Sequence, residues 1–393
     1  MKKSIYYLCL LTFVLFYNCG SQKKNKIITV KNNLEITRSF ETIEIFKTDL
    51  QLDKDQNFEH LAVRDVDTQT LVVSQFVDED GDGVTDMLLF QPKVEPKSEK
   101  QYELVLVEPN ERQETTEYCY SRFVPERTDD YAWENDKVAF RTYGPTAQKM
   151  IEDSVPGGTL SSGIDAWLKK VDYPIINKWY AKNDKNPGAY HIDHGEGLDN
   201  FHVGSSRGVG GTAVKKDSIY YFSKNFTSWK TITTGPIRTS FVLSYADWDA
   251  DGNMISEEKH ISLDYGNNLS KFEIDITGTD VVSVGLTLHK NEGVITENVD
   301  GGWVSYWEPH EGSELGTGIV STYETMIGYE NYVTNKKDES NLYAHLKVHD
   351  NKVVYYAGFA WKESGQYPTK ESWEKYLNEV RLKINNPLEV TFN

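Results

Sequence analysis

The feature that most constrains this chain is a period-two alternation of large apolar residues that recurs along its second half. Phe241, Leu243 and Tyr245 alternate with smaller or polar residues; Ile261, Leu263 and Tyr265 do the same, and then Phe272, Ile274 and Ile276. Successive side chains of a strand point to opposite faces, so each run presents one apolar face. The runs are separated by turn-forming residues, as antiparallel strands require. Val281 to His289 and Val353 to Trp361 continue the pattern. Sheets of this kind cover their apolar faces by stacking, which predicts a large sandwich of two sheets. The first hundred residues repeat the theme on a smaller scale. Ile27 to Val30, Thr42 to Phe46, Leu71 to Val77, Met87 to Phe90 and Tyr102 to Val107 read as short strands, with Asp78-Glu79-Asp80-Gly81-Asp82-Gly83 as a tight turn. The expected fold is all-β: a small N-terminal β-sandwich over 27–125, then a large antiparallel unit over 126–393, with the boundary in the polar stretch Pro125 to Asp130. Short helices are expected at Asp165 to Val171 and around Trp373, Tyr376, Leu377 and Val380.

The N-terminus sets the compartment. Lys2 and Lys3 precede an apolar run from Ile5 to Phe16 that is too short to span a bilayer and stops at Asn18-Cys19-Gly20. This reads as a signal peptide over 1–18 and a lipidated Cys19 opening a polar tether over 19–26; an ordinary secreted protein cleaved nearby is the plainer alternative. Of three cysteines only Cys119 then remains, so there is no intrachain disulfide framework and the core must hold the fold. The formal net charge is −18, and it becomes more negative once Lys2 and Lys3 leave with the leader. So acidic a chain is a poor ligand for nucleic acid or for an anionic membrane surface. With 9 Trp, 24 Tyr and 16 Phe it is equally unsuited to disorder.

Chemistry concentrates in one loop, Tyr190-His191-Ile192-Asp193-His194-Gly195-Glu196-Gly197-Leu198-Asp199, followed by His202 and Arg207. Two glycines let the backbone bend, and imidazole and phenol can exchange protons near neutral pH. His191, His194 and Glu196 also offer metal-ligating atoms, although their spacing matches no helical zinc motif. A second cluster, Trp303, Tyr306, Trp307, Glu308 and His310, combines aromatic faces with polar groups, as a sugar site does. Its plain alternative is a sandwich core. Asp78, Asp80, Asp82 and Asp86 carry half of a calcium-loop pattern, with Leu89 where a bidentate acid belongs. Asp247 to Gly252 with Glu258 satisfies the pattern on paper but joins two strands, and reads as a hairpin turn. Gly204, Gly208, Gly210 and Gly211 lack the G-K-[ST] of a phosphate loop, so no nucleotide site is expected.

Several of these segments carry a family likeness. Trp133-Glu134-Asn135, Phe140-Arg141, Tyr143-Gly144-Pro145, Tyr190-His191 with Asp193 to Asp199, Gly210-Gly211-Thr212, and Gln75 with Asp80 to Gly83 and Asp86 to Gln91 resemble a family of Bacteroidota lipoproteins catalogued as a domain of unknown function. That family includes the ulvan oligosaccharide dehydratase. Gly235-Pro236-Ile237-Arg238 and the strands after it look like the galactose-mutarotase supersandwich, which makes 126–393 the expected catalytic domain. The resemblance implies an outer-membrane lipoprotein and a lyase of the dehydratase type. It would remove water from the non-reducing-end uronic acid of a sulfated oligosaccharide and leave a 4,5-unsaturated residue. That β-elimination needs a base at C5, an acid at the 4-hydroxyl and a cation on the carboxylate. From residue chemistry, Tyr190, His191 and His194 are the candidates for base and acid, and Arg207 or Arg141 for the cation. Glu196, His202, Trp303, Trp307 and His310 are expected to bind sugar. An anionic substrate also demands a local reversal of charge, drawn from Arg141, Arg207, Lys178, Lys182 and Lys185. No cofactor is required; a structural calcium is expected only at the Asp78–Asp86 turn. The rival functions are a polysaccharide lyase that cleaves the glycosidic bond and a non-catalytic glycan-binding lipoprotein.

Overall fold

A computed structural model describes residues 26–50, 52 and 57–393. The signal segment and Cys19 lie outside the described residues. The fold is all-β, with three α-helices among the described residues, Pro145–Glu152, Ile176–Lys185 and Lys370–Asn385.

A small sandwich forms from a four-stranded sheet, in the order Glu389–Phe392, Lys26–Lys31, Glu99–Leu106, Leu61–Asp65, facing a three-stranded sheet of Ile43–Phe46, Met87–Phe90 and Ser74–Val77. Ile28, Val30, Ile45, Val63, Leu88 and Phe90 fill the space between them. The chain ends depart from the expected division. Strand Glu389–Phe392 returns to pair with Lys26–Lys31, placing Ile28 opposite Phe392. Tyr120–Val124, N-terminal to the expected boundary, pairs with Asp130–Glu134 of the larger unit. Backbone pairing rather than the polar stretch decides where each unit ends, because a lone strand leaves its N–H and C=O groups unpaired.

The larger unit is a broad antiparallel sheet packed against two five-stranded sheets, all three contributing to one core. The period-two runs pair in register: Phe241 lies opposite Ile261, Ile261 opposite Phe272, and Phe272 opposite Tyr355. The last two rings stack at 4.9 Å. Cross-strand pairs of this kind hold sheet register, since a slip of one residue would turn the whole apolar face outward.

Asp165 to Val171 is not a helix. Asp165–Lys169 is a strand whose five residues are all buried. Ala166 and Leu168 face the main core, while Trp167 faces a second core beneath Ile176–Lys185. With both faces buried the polar half of the alternation vanishes, and the run mimics a helical stripe. The C-terminal helix does match its pattern. Thr369 caps it, its Oγ1 accepting from Ser372 N at 3.3 Å, and Trp373, Leu377 and Val380 are buried against Trp303, Trp307 and Val320. The apolar burial stabilises the helix by roughly 1.5–3 kcal/mol for each large side chain.

The two units are latched by Gln75. Its Oε1 accepts from Ile237 N and Arg238 N, both at 2.9 Å, and its Nε2 donates to Thr233 Oγ1 and Arg238 O, also at 2.9 Å. A Cβ on Gly235 would fall 2.5 Å from the Gln75 amide carbon, so glycine is needed for this approach. Arg238 continues the junction with a bidentate pair to Asp264 and a bond to Glu44.

Candidate functional site

The loop from Tyr190 to His202 leaves the five-stranded sheet that holds Asp165–Lys169, and it serves two different clusters. Its base is pinched by Asp199 N donating to Tyr190 O at 2.8 Å. Its tip is a turn in which Asp193 Oδ1 accepts from Gly195 N at 2.7 Å and Gly197 N at 3.1 Å. Gly197 has φ +108°, and a Cβ there would sit 1.9 Å from Leu168 O. The glycines therefore build the turn and let it lie against the neighbouring strand.

The first cluster surrounds Arg141. Antiparallel pairing sets Arg141 directly opposite Asp165. The Arg141 Nε donates to Asp165 Oδ2 at 2.7 Å and Nη2 to Asp199 Oδ2 at 2.8 Å, while Nη1 lies 3.5 Å from Asp130 Oδ2. Tyr190 Oη accepts from Arg127 Nε at 3.1 Å and from Arg141 Nη1 at 3.4 Å. Burial pushes Asp130 up to about 6 against the pull of Arg141 and Arg127. Asp165 and Asp199 are also raised, again by burial first, and Asp165 further by the Asp199 charge. Two guanidiniums against three buried carboxylates leave one negative charge uncompensated, so a retained proton is the physical outcome. Asp130 Oδ1 and Asp165 Oδ1 are buried without a hydrogen-bond partner among the described residues, which adds to the cost of keeping both carboxylates ionised.

Of the four expected catalytic residues, this cluster holds two. Tyr190 is buried in the apolar core under Ile176–Lys185, beside Trp167 and Tyr180, and anchors the loop. His191 is half-exposed; its Nδ1 donates to the Asp199 carbonyl at 2.5 Å, which leaves the lone pair on Nε2. His194 is exposed at the turn. Arg207 belongs elsewhere. Its guanidinium is wholly buried over the Phe222 ring and donates to Ser162 Oγ and Ser205 O, both at 2.9 Å. Burial lowers its pKa to about 10. It has no carboxylate partner among the described residues and no route to substrate.

The expected sugar-binding residues also divide. Glu196 is held by Tyr173 Oη at 2.5 Å and by Lys178, so it braces the start of helix Ile176–Lys185. Trp303 and Trp307 are core residues beneath the C-terminal helix and present no face to solvent. The calcium-loop aspartates are partly convergent: Asp78, Asp80 and Asp86 lie together, whereas Asp82 caps Val84 N at 2.7 Å. The Asp247–Gly252 segment is a hairpin turn between Trp248–Ala250 and Asn253–Asp264.

His202 and His310 do meet, in the second cluster. They line a cavity of about 460 Å³ together with Asn200, His289, Lys290, Lys336, Lys337 and Asp338. The His202 Nε2 donates to Asp338 Oδ2 at 3.0 Å. His310 Nε2 contacts Asn200 Oδ1 at 3.2 Å, and His289 Nδ1 pairs with Glu308. Burial, with the neighbouring His289, pulls His310 down to about 4, so it is neutral near pH 7. Three lysines and two carboxylates, Glu311 and Asp338, line the cavity, and two of the lysines are already paired, Lys290 with Glu311 at 3.7 Å and Lys336 with Glu339 at 3.3 Å. Lys337 has no ion pair among the described residues. Lys290 lies on a connection between two sheets and Lys336 and Lys337 at a hairpin end, roughly ninety and more residues beyond the loop, a distance no local pattern reveals.

Comparison with known proteins fits the extent of this fold. An uncharacterized protein, P7, of Formosa agariphila is 66% identical over 393 residues, covering the whole of both chains. Among solved structures, a glycosyl hydrolase family 38 protein of Enterococcus faecalis aligns with 95% of this chain and 48% of its own, at 10% identity and a TM-score of 0.48. An α-mannosidase of the same organism aligns with 94% and 46%, at 9% identity and a TM-score of 0.45. This chain thus spans about half the length of those two proteins, and at such scores the likeness carries no functional argument. The family model described as domain of unknown function DUF4861 matches residues 30–390, nearly the whole described fold, and the chain belongs to that family.

Proposed function

We propose that the protein is a carbohydrate-active lyase of the dehydratase type, eliminating water from the non-reducing-end uronic acid of ulvan-derived oligosaccharides. The observation that carries this reading is the lysine- and histidine-lined cavity, walled in part by Asn200 and His202, which directly follow the Tyr190–Asp199 segment that bears the family likeness. The C5 proton of a uronate lies α to a carboxylate and is barely acidic, so its removal builds charge that cations must offset. Lys290, Lys336 and Lys337 are the cations. His202 is the proton acceptor: with Nε2–H held by Asp338, its Nδ1 carries the free lone pair. His310 stays neutral and serves in binding rather than as the acid. His191, bonded to the Asp199 carbonyl, does not line the cavity; the departing 4-hydroxyl leaves as water by taking a proton from one of the cavity's lysine ammonium groups. The protein would act from the outer membrane, held by a lipid on Cys19.

The test is incubation with saturated uronyl-rhamnose-sulfate oligosaccharides. A dehydratase gives the ultraviolet absorbance of a conjugated double bond and a product lighter by one water, with chain length kept. The same chromophore with shortened chains identifies a polysaccharide lyase instead, and neither change rejects both. The glycan-binding alternative loses its main support here, because Trp303 and Trp307 are internal.

A further inference from the structure

Beside the cavity, reaching it through His289 and His310, lies a second kind of chemistry. Glu308 and His310 are two apart on strand Trp303–His310 and share a face; both are buried, while Pro309 between them is exposed. His289, just past strand Val281–Thr287, brings its ring to 5.3 Å from that of His310. One ligating atom from each of the three residues lies within 4.8 Å of the others. His289 Nδ1 already pairs with Glu308 Oε1, so the imidazole atoms left for an ion are His289 Nε2 and His310 Nδ1. The Asn200 amide oxygen can only accept, so His310 Nε2 carries the proton and Nδ1 keeps its lone pair. His289 Nε2 is buried with no partner among the described residues. A buried polar nitrogen without a partner is rare in a packed core, and it calls for a water, an ion or a ligand.

We infer that His289, Glu308 and His310 bind a divalent transition metal of the zinc class, with the cavity at the open coordination position. Two imidazoles and one carboxylate are the donor set of an open zinc site rather than a closed structural one. Calcium and magnesium want oxygen ligands in greater number than this wall supplies. Asn200 would be the outer partner that fixes the His310 tautomer, the usual companion of a ligating imidazole. The Asp78, Asp80 and Asp86 turn does not compete on these terms: it offers only oxygens, and Asp78 already accepts from Gly81 N and Gly83 N. The inference stands apart from the carbohydrate reading, since it needs only the three ligands and the void beside them.

The experiment uses full-length protein stripped with a chelator, then titrated with Zn²⁺ by calorimetry and with Co²⁺ by visible absorption. One equivalent per chain is expected, with the d–d bands of four- or five-coordinate cobalt. Glu308→Gln and His310→Asn should each weaken binding by about 100-fold or more, and Asn200→Ala by about 10–100-fold. Asp78→Asn should leave binding unchanged. Tryptophan fluorescence reports whether each variant is folded. X-ray absorption on the wild-type zinc form decides the matter should a buried variant fail to fold, and it should show two imidazoles and a carboxylate. No stoichiometric uptake, undiminished binding in folded Glu308→Gln, loss in Asp78→Asn, or a different ligand set would each overturn the assignment.

Discussion

The Arg141 cluster and the lysine–imidazole cavity are built from one loop, and they differ in what their polar groups are doing. Asp199 belongs to the first and Asn200, the next residue, to the second. In the first, each guanidinium nitrogen of Arg141 is turned onto a buried carboxylate or phenol of the same cluster. Around the cavity, His202, Lys337 and His289 have atoms with no protein partner and space in front of them. A dense run of charged and aromatic residues thus marks both a scaffold and a site. The state of their hydrogen bonds tells the two apart.

The largest effect should come from breaking the scaffold. Arg141→Ala leaves three buried aspartates facing Arg127 alone, and removing one partner of a buried ionic network costs about 3–5 kcal/mol. Urea unfolding should show a loss of that size, enough to unfold a marginal domain. Arg141→Lys should recover only part of it, because an ammonium cannot reproduce the forked donor. His202→Ala is the matched change in the cavity. Removal of a general base should lower turnover about 10²–10⁴-fold, while stability moves by no more than about 0.5 kcal/mol. Equal turnover in His202→Ala would remove His202 from the chemistry and make the cavity no more a site than the Arg141 cluster.

Acidity separates the two regions more finely. The Asp130 value rises from 3.8 to about 6 on folding. Between those values the folded state holds the proton that the unfolded state has released. Asp130 therefore stabilises the fold fully below about pH 4, and that contribution is lost as pH rises through 6. His310 has the opposite sign: lowered on folding, it binds its proton more readily when unfolded and adds stability as pH rises from 4 to 6.5. Asp130→Asn should consequently gain on the wild type by on the order of 2–3 kcal/mol between pH 4 and pH 7. His310→Asn should lose ground over the same range. Denaturation midpoints at four or five pH values measure both, and parallel curves would remove the retained proton from the Arg141 cluster.

What was legible in the sequence follows from how local each signal is. The Phe241, Ile261 and Phe272 ladder could be read because a strand with one buried face writes its period into neighbouring residues. The helix expected at Asp165 to Val171 failed because that strand is buried on both faces. The loop from Tyr190 to His202 was found by its density of imidazoles and glycines, but the burial of Tyr190 and the exposure of His194 depend on Trp167, Tyr180 and the turn at Asp193. Arg207 looked like an active-site cation only until Ser162, Ser205 and Phe222 were seen to enclose it. Trp303 and Trp307 looked like a sugar platform because the helix that covers them lies some sixty residues further on. His289 and the three lysines give no such signal, each standing among ordinary neighbours in its own segment.

The mildest prediction concerns those lysines. Lys336 is exposed and shares its charge with Glu339 at 3.3 Å, whereas Lys337 has no ion pair among the described residues. Lys337→Ala should therefore do more than Lys336→Ala, lowering kcat/KM on an anionic substrate by about tenfold, the worth of one partly screened charge. Salt distinguishes how that charge acts. A lysine that only steers the substrate works over distances comparable to the screening length, about 10 Å at 0.1 M salt and 3 Å at 1 M. Its loss should fade as salt rises and should fall mainly on KM. A lysine that touches the uronate carboxylate is shielded by the substrate itself, so its loss should persist in salt and reach kcat. Steady-state kinetics of Lys337→Ala at low and high salt gives one pattern or the other. A variant indistinguishable from wild type at both would mean that the cavity does not receive the carboxylate, and that its open groups serve a different ligand.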